Sequence, residues 1–285
     1  MNIQFENGQY GLKAIFKVEW NESFFNLLID KDVKEIEINT GKGWKGGNVD
    51  FLKNFPHLQS VIIIDHTVQS IQPIHSLHEL KSMNISTYCK TPINFNDFPE
   101  LENCGLEWRK GSDSLFNCKK LTSLFLNRFD KSDSKVFSNL TQLKDLKLFN
   151  ANLENLSGIF SLRQIIHLRL TNLKKIESIE GIENIRDSLE ELEIQRCKGI
   201  CGIDEIFKLK RFLLLDSGEI ESIKGIENLT ELKEFLFYES TNILDGDLSP
   251  LLKLDKLINL SFQNRRHYSN KREEFSAYWN EAPPR

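Results

Sequence analysis

No apolar run in the 285-residue chain approaches the roughly 20 residues that a membrane-spanning helix needs; the longest are short stretches such as Val61-Ile62-Ile63-Ile64. A chain outside the membrane is therefore expected. The first thirty residues also lack the basic, apolar and small-residue succession of a signal peptide, because residues 1–10 are polar and Glu6, Glu19 and Glu22 break up any apolar stretch near the start. There is no excess of basic charge: 37 Lys and Arg stand against 41 Asp and Glu, a net charge of −4 with a pI near 6.0. That balance excludes a nucleic-acid binder driven by bulk charge. Cysteine is sparse and odd in number, five in all, with Cys104 and Cys197 at interior positions of the chain's repeat pattern. Free thiols in a reducing cytoplasm fit this better than a disulfide framework.

What is present is a core-forming composition, 40% hydrophobic and 27% charged, and a repeat. The template Leu-x-x-Leu-x-Leu recurs eleven times, from Val33/Ile36/Ile38 through Leu121/Leu124/Leu126 and Leu189/Leu192/Ile194 to Leu257/Leu260/Phe262. Its ten intervals cover 224 residues, a mean of 22.4. Each repeat contributes one short strand whose fourth and sixth residues point inward, while the fifth points to the opposite, solvent-facing side of a parallel sheet. No repeat can bury its apolar side alone, so stacking is obligatory. The return segments carry apolar residues every third position, as in Ile220, Ile223, Ile226 and Leu229, in Ile176, Ile179, Ile182 and Ile185, and in Leu153, Leu156, Ile159 and Leu162. That spacing predicts 3₁₀ or extended returns rather than amphipathic α-helices. Ser249-Pro250 reads as an N-cap followed by proline in a first helical turn.

These residues resemble the leucine-rich repeat family, in particular the subclass of roughly 22 residues found in bacterial internalins and in the leucine-rich regulatory subunit of type-1 protein phosphatase. The resemblance covers residues 33–265 and implies an α/β solenoid: a horseshoe with a parallel β-sheet on its concave face, mostly 3₁₀ or extended returns on its convex face, and about eleven units. One departure is visible. The family usually has Asn at the ninth position of each repeat, and here the ninth positions run Gly41, His66, Tyr88, Arg109, Phe129, Ala151, Leu173, Cys197, Ser217, Ser240 and Arg265. With no asparagine ladder there, the turns after the strands must satisfy their backbone groups by other means.

Residues 1–32 do not match the template and are expected to form an N-terminal cap, with Trp20, Phe24, Phe25, Leu27 and Leu28 as apolar cover and a short helix starting near Asn21. Residues 266–285 are expected to form a C-terminal cap and tail, with Tyr268, Phe275, Tyr278 and Trp279 on a short amphipathic helix ahead of Pro283-Pro284-Arg285.

The chemical constellations in the sequence read as structural. The Gly41-to-Gly47 loop lacks the Gly-Lys-Ser/Thr ending of a phosphate-binding loop. His75 and His78 have no Cys-x-x-Cys companion for a metal site. Cys197 and Cys201 are spaced as core thiols rather than a redox pair. Glu191 and Glu193 lie on one strand facing solvent, with Arg169 and Arg196 in reach, and suit a charged binding surface better than an acid/base couple. No catalytic residue, metal or cofactor is expected.

The informative feature is large apolar residues at solvent-facing strand positions. Trp108, Phe125 and Phe149 occur with Arg128, Lys147 and Arg169 in repeats four to seven, and Leu213, Leu215, Leu236 and Tyr238 occupy repeats nine and ten beside Glu191 and Glu193. Apolar surface rimmed by charge marks interaction sites. The expectation is a non-enzymatic, cytoplasmic scaffold, monomeric alone, that binds a protein partner on its concave face without nucleic acid or membrane. The alternatives are a bacterial immunity or inhibitor protein that occludes a toxin or enzyme, an enzyme with an unrecognised site, and a self-assembling structural repeat.

Overall fold

The threefold apolar spacing of the returns and the alternation of the strands are realised in a computed structural model that describes residues 2–176, 178–197 and 208–275. The chain forms two bodies, Met1–Leu126 and Asn127–Arg285.

In the N-terminal body, β1 (Ile3–Asn7) and β2 (Leu12–Phe16) form an antiparallel hairpin, followed by α1 (Phe24–Asp30) and the strands β3 (Val33–Asn39), β4 (Ser60–Ile64), β5 (Ser82–Ser86), β6 (Asn103–Glu107) and β7 (Ser123–Asn127). From β2 onward the strands are parallel and neighbour one another in chain order. β2 carries no recognisable repeat, yet it pairs with β3 so that Ala14 stands beside Ile36 and Phe16 beside Ile38. Both are buried, in the inward positions of the repeat strands. α1 begins where Asn21 accepts the Ser23 N–H at 2.9 Å. Leu28 is buried, whereas Leu27 is exposed. Trp20 stacks on Phe51 with centroids 4.2 Å apart and planes 1° from parallel.

In the C-terminal body, β8 (Asp145–Phe149), β9 (His167–Thr171), β10 (Glu191–Gln195), β11 (Arg211–Leu215), β13 (Glu234–Tyr238) and β15 (Asn259–Phe262) form a parallel ladder in chain order. The short strands β12 (Glu219–Ile220) and β14 (Asn242–Ile243) pair with each other on the return side. α2 (Arg272–Phe275) closes on β15 through Phe275, whose ring meets Phe262 edge-on at 5.9 Å. Tyr278, Trp279 and Cys201 lie outside the described residues.

The core is the set of template residues, all buried, joined by the return residues Leu153, Leu156, Ile159 and Leu162, by Ile176, Ile179, Ile182 and Ile185, and by Ile220, Ile223, Ile226 and Leu229. The returns are short 3₁₀ turns such as Gln72–Ser76, Lys135–Asn139, Ile182–Ile185 and Ser249–Lys253. In the last of these Pro250 sits in the first turn as expected, but Ser249 lies inside the turn, and Asp247 accepts the Ser249 N–H at 2.9 Å.

The turn that leaves the strand differs between the bodies. In repeats two to four the eighth residue continues the alternation and points inward, so Asp65, Thr87 and Trp108 are buried while the ninth residues His66 and Tyr88 are exposed. In repeats five to ten the eighth residue, Arg128, Asn150, Asn172, Arg196, Asp216 or Glu239, adopts a left-handed conformation with φ between 50° and 62°. Its N–H then extends the ladder, as from Asn150 to the Thr171 carbonyl at 2.9 Å and from Asn172 to the Gln195 carbonyl at 2.8 Å. In repeats five to nine the flip sends the ninth residue inward, and Phe129, Ala151, Leu173, Cys197 and Ser217 are buried, whereas in repeat ten Ser240 is exposed and the following Thr241 is buried. Small hydrogen-bonding groups there stand in for the missing asparagines: Ser217 Oγ donates to the Leu215 carbonyl at 3.0 Å, and Cys197 Sγ lies 3.4 Å from the Gln195 carbonyl.

Candidate functional site

Alternation along each strand puts the third, fifth and seventh residues of every repeat on the open face of the sheet. In the C-terminal body the ladder aligns them in rows. The third-position row is Asp145, His167, Glu191, Arg211, Glu234 and Asn259; the fifth is Lys147, Arg169, Glu193, Leu213, Leu236 and Ser261. The seventh-position row runs Phe149, Thr171, Gln195, Leu215 and Tyr238.

The first two rows form a lattice of ion pairs. Arg169 Nη2 meets Glu193 Oε2 at 2.5 Å, Glu191 lies between His167 at 3.9 Å and Arg211 at 3.8 Å, and Arg211 Nε reaches Glu234 at 3.1 Å. Lys147 pairs with Asp145 at 3.2 Å. Asp145 Oδ1 is buried and has no hydrogen-bond partner among the described residues. Asp145, Lys147, His167, Arg169, Glu191, Glu193 and Arg211 line a shallow cleft of about 40 Å³ together with Leu213. Arg196, expected near Glu191 and Glu193, pairs instead with Asp216 at 3.0 Å. Hydrogen bonds from Ser240 and Arg196 hold the Asp216 carboxyl below its ordinary value.

Beside the lattice lies an apolar quartet. Leu213 stands opposite Leu236 and Leu215 opposite Tyr238 on β11 and β13. Leu215, Leu236 and Tyr238 are half-buried, but Leu213 is only 7% exposed. Exposure therefore fails for Leu213, which sits between neighbours on both sides.

The other cluster read from the sequence divides. Phe149 and Arg128 belong to the C-terminal body, Phe149 half-buried on the open face of β8 and Arg128 exposed at its left-handed turn. Phe125 is half-buried on the open face of β7 in the N-terminal body. Trp108 corrects the expectation of an exposed anchor: it is 9% exposed, with its ring 6.0 Å from Phe116. As an eighth residue in a repeat without the left-handed turn, it continues the alternation into the interior.

Three face residues were missed from the sequence, Asp145, His167 and Arg211. The signal was available, because the third position obeys the same alternation as the fifth. Elsewhere, His75 and His78 are engaged with backbone groups of the next repeat's return, His75 Nε2 accepting the Asn94 N–H at 3.1 Å and His78 Nδ1 lying 3.0 Å from the Asp97 carbonyl. No group of three potential metal ligands occurs among the described residues. No described helix is long and apolar enough to cross a membrane.

No protein-family model and no curated protein sequence matches the chain. Solved structures do. An internalin of Listeria monocytogenes is similar with a TM-score of 0.63 and 19% identity over 82% of this chain and 75% of that one. A leucine-rich repeat protein of Leptospira interrogans gives 0.66 and 19% over 86% and 65%. A plant peptide hormone receptor solved in complex with RGF2 gives 0.56 and 14% over 92% of this chain and 52% of the receptor. The chain thus spans 65% of the Leptospira protein and about half of the plant receptor. By its repeat and by its structure, the chain has the leucine-rich repeat fold.

Proposed function

We propose that the chain is a non-enzymatic interaction scaffold and that the open face of β10, β11 and β13 binds a protein partner. The observation that supports this reading is the solvent-facing group of Leu215, Leu236 and Tyr238, packed over the buried Leu213 on β11 and β13, directly beside the lattice of Arg169, Glu191, Glu193, Arg211 and Glu234. An apolar patch with a charged rim has the anatomy of an interface, in which the patch supplies most of the energy and the rim sets the register. The strands hold these side chains in place before a partner arrives, so little conformational entropy is lost on association. That a plant receptor of similar fold was solved in complex with RGF2 agrees with a binding role.

The test is affinity. A partner captured through a photo-crosslinker at position 215 is titrated calorimetrically against wild type, Tyr238→Ala and Leu236→Asp. Loss of about tenfold or more in affinity, with melting temperatures close to wild type, is expected. Wild-type affinity in both variants would move the interface away from this face.

A further inference from the structure

The Gly-rich loop that failed as a phosphate loop belongs to a larger feature of the N-terminal body. Four successive turns leave β3, β4, β5 and β6 on the same edge of the sheet, at residues 40–48, 65–70, 87–93 and 108–112. They are fastened to one another. Trp44 Nε1 donates to Asp65 Oδ2 at 2.8 Å, Thr91 Oγ1 donates to Ser70 Oγ at 3.4 Å, and the buried Arg109 guanidinium reaches the Cys89 and Thr91 carbonyls at 3.4 and 3.5 Å.

These turns carry Lys45, Lys90, Arg109 and Lys110, together with Lys42, which is paired with Glu37 of β3 at 2.8 Å, against one carboxylate of their own, Asp65. Asp65 is buried, and its oxygens are taken by Trp44 and Thr67. Glu107 and Asp113 flank the fourth turn, and Asp50 follows the first. Lys45, Lys90 and Lys110 are exposed and have no ion-pair partner among the described residues, whereas many lysines elsewhere, such as Lys13, Lys120, Lys210 and Lys256, are paired. On a chain with a net charge of −4, this edge is a local excess of positive charge. In its middle stands Tyr88, 64% exposed, stacked on His66 at a centroid distance of 4.3 Å.

We propose that this edge docks an acidic polypeptide segment of a partner protein, with Tyr88 as the aromatic anchor and Lys45, Lys90 and Lys110 as carboxylate partners. Strand spacing puts the four turns across about 14 Å, the length of about five extended residues. Alternate carboxylates of such a segment then meet the lysines while an apolar side chain covers the Tyr88 ring. The charge favours a protein over a nucleic acid: the single arginine is buried, and the few exposed lysines fall short of the phosphate contacts that sustain nucleic-acid affinity at physiological salt. This site is separate from the open face of the C-terminal body and does not depend on it.

The test uses the full chain and a fluorescein-labelled Glu-Glu-Phe-Glu-Glu-Glu peptide, with anisotropy read at low salt. Saturable binding is expected, weakened about tenfold in Lys90→Glu/Lys110→Glu and about fivefold in Tyr88→Ala. These side chains are exposed, so unchanged circular dichroism and melting temperature accompany the loss. Leu236→Asp retains wild-type peptide affinity. Absence of saturable binding, wild-type affinity in the lysine variant, loss of binding in Leu236→Asp, or tighter binding of an oligothymidylate of equal charge would each overturn the proposal.

Discussion

Ser217 donates its backbone N–H to the Thr241 hydroxyl oxygen at 3.1 Å, and that hydroxyl donates to the Leu214 carbonyl at 3.1 Å. One side chain, one position after the ninth of its repeat, thus satisfies two backbone groups from the neighbouring repeat. Replacing the hydroxyl by a methyl removes the acceptor of the Ser217 N–H and one donor to the Leu214 carbonyl. Thr241→Val is expected to destabilise the chain by about 1–3 kcal/mol, read as a lower urea midpoint with an unchanged slope; an unchanged midpoint would show that the turn is satisfied otherwise.

Glu37 sits buried on the open face of β3 between Lys13 and Lys42, both at 2.8 Å. Burial raises its carboxyl pKa, but hydrogen bonds from Lys13, Lys42 and Asn39 outweigh that and hold it down to about 2, against an ordinary value of 4.5. A depressed folded-state pKa stabilises above the unfolded value and loses that contribution as the proton binds. The stabilisation is therefore complete above pH 4.5 and falls away as pH drops toward about 2. Glu37→Gln should flatten the decline of the urea midpoint across this window; an identical decline in the variant would place its origin elsewhere.

The register of the ladder makes a sharper contrast between neighbours. Leu192 points into the core of the C-terminal body and Glu193 to the open face, where it meets Arg169 at 2.5 Å. A carboxylate in the core costs several kcal/mol, so Leu192→Asp should unfold the chain. Glu193→Ala removes a half-buried ion pair and should cost at most about 1 kcal/mol. Equal melting shifts in the two variants would contradict the strand register.

The repeat strands, the 3₁₀ returns and the inward triplets were legible because hydrophobic periodicity writes them directly into residue types, whereas the short return-side strands β12 and β14 were not read. β2 was not, because Ala14 occupies an inward position where the template asks for a large aliphatic, and the strand joins the ladder through the hairpin. The turn geometry was legible only in part. Asn150, Asn172 and Asp216 are residue types that enter the left-handed region readily, but Arg128, Arg196 and Glu239 adopt it as well. Arg128 and Arg196 go with the ladder hydrogen bond and the buried ninth side chain, neither of which is visible at the eighth position. Reading the same turn into every repeat placed Trp108 on the surface. On the face itself, counting the fifth and seventh rows found Leu236 and Tyr238, but of the third row Glu191 was read while Asp145, His167 and Arg211 were passed over.

Trp108 now carries a prediction opposite to that of a surface anchor. Its ring is buried near Phe116, so Trp108→Ala leaves a cavity and should cost about 3 kcal/mol, seen as a large drop in melting temperature. A variant that melts like wild type would return Trp108 to the surface.

The last prediction separates the two components of the proposed open-face interface by kinetics. Glu191 is about half exposed, lies 3.8 Å from Arg211, and sits one strand away from the leucines; Glu239 is exposed at the turn after Tyr238. Rim charges of this kind act on diffusional encounter, which salt screens, rather than on the lifetime of the complex. Glu191→Lys and Glu239→Lys should therefore change the association rate of the captured partner and the steepness of its salt dependence, and leave the dissociation rate within about twofold. Tyr238→Ala should do the reverse, raising the dissociation rate about tenfold with little change in association, because a packed aromatic is lost only after the partners have met. Surface plasmon resonance over a series of ionic strengths reads both. If charge reversal and Tyr238→Ala alter the same rate constant in the same proportion, the patch and its rim do not divide the work in this way, and the interface model fails at its most specific point.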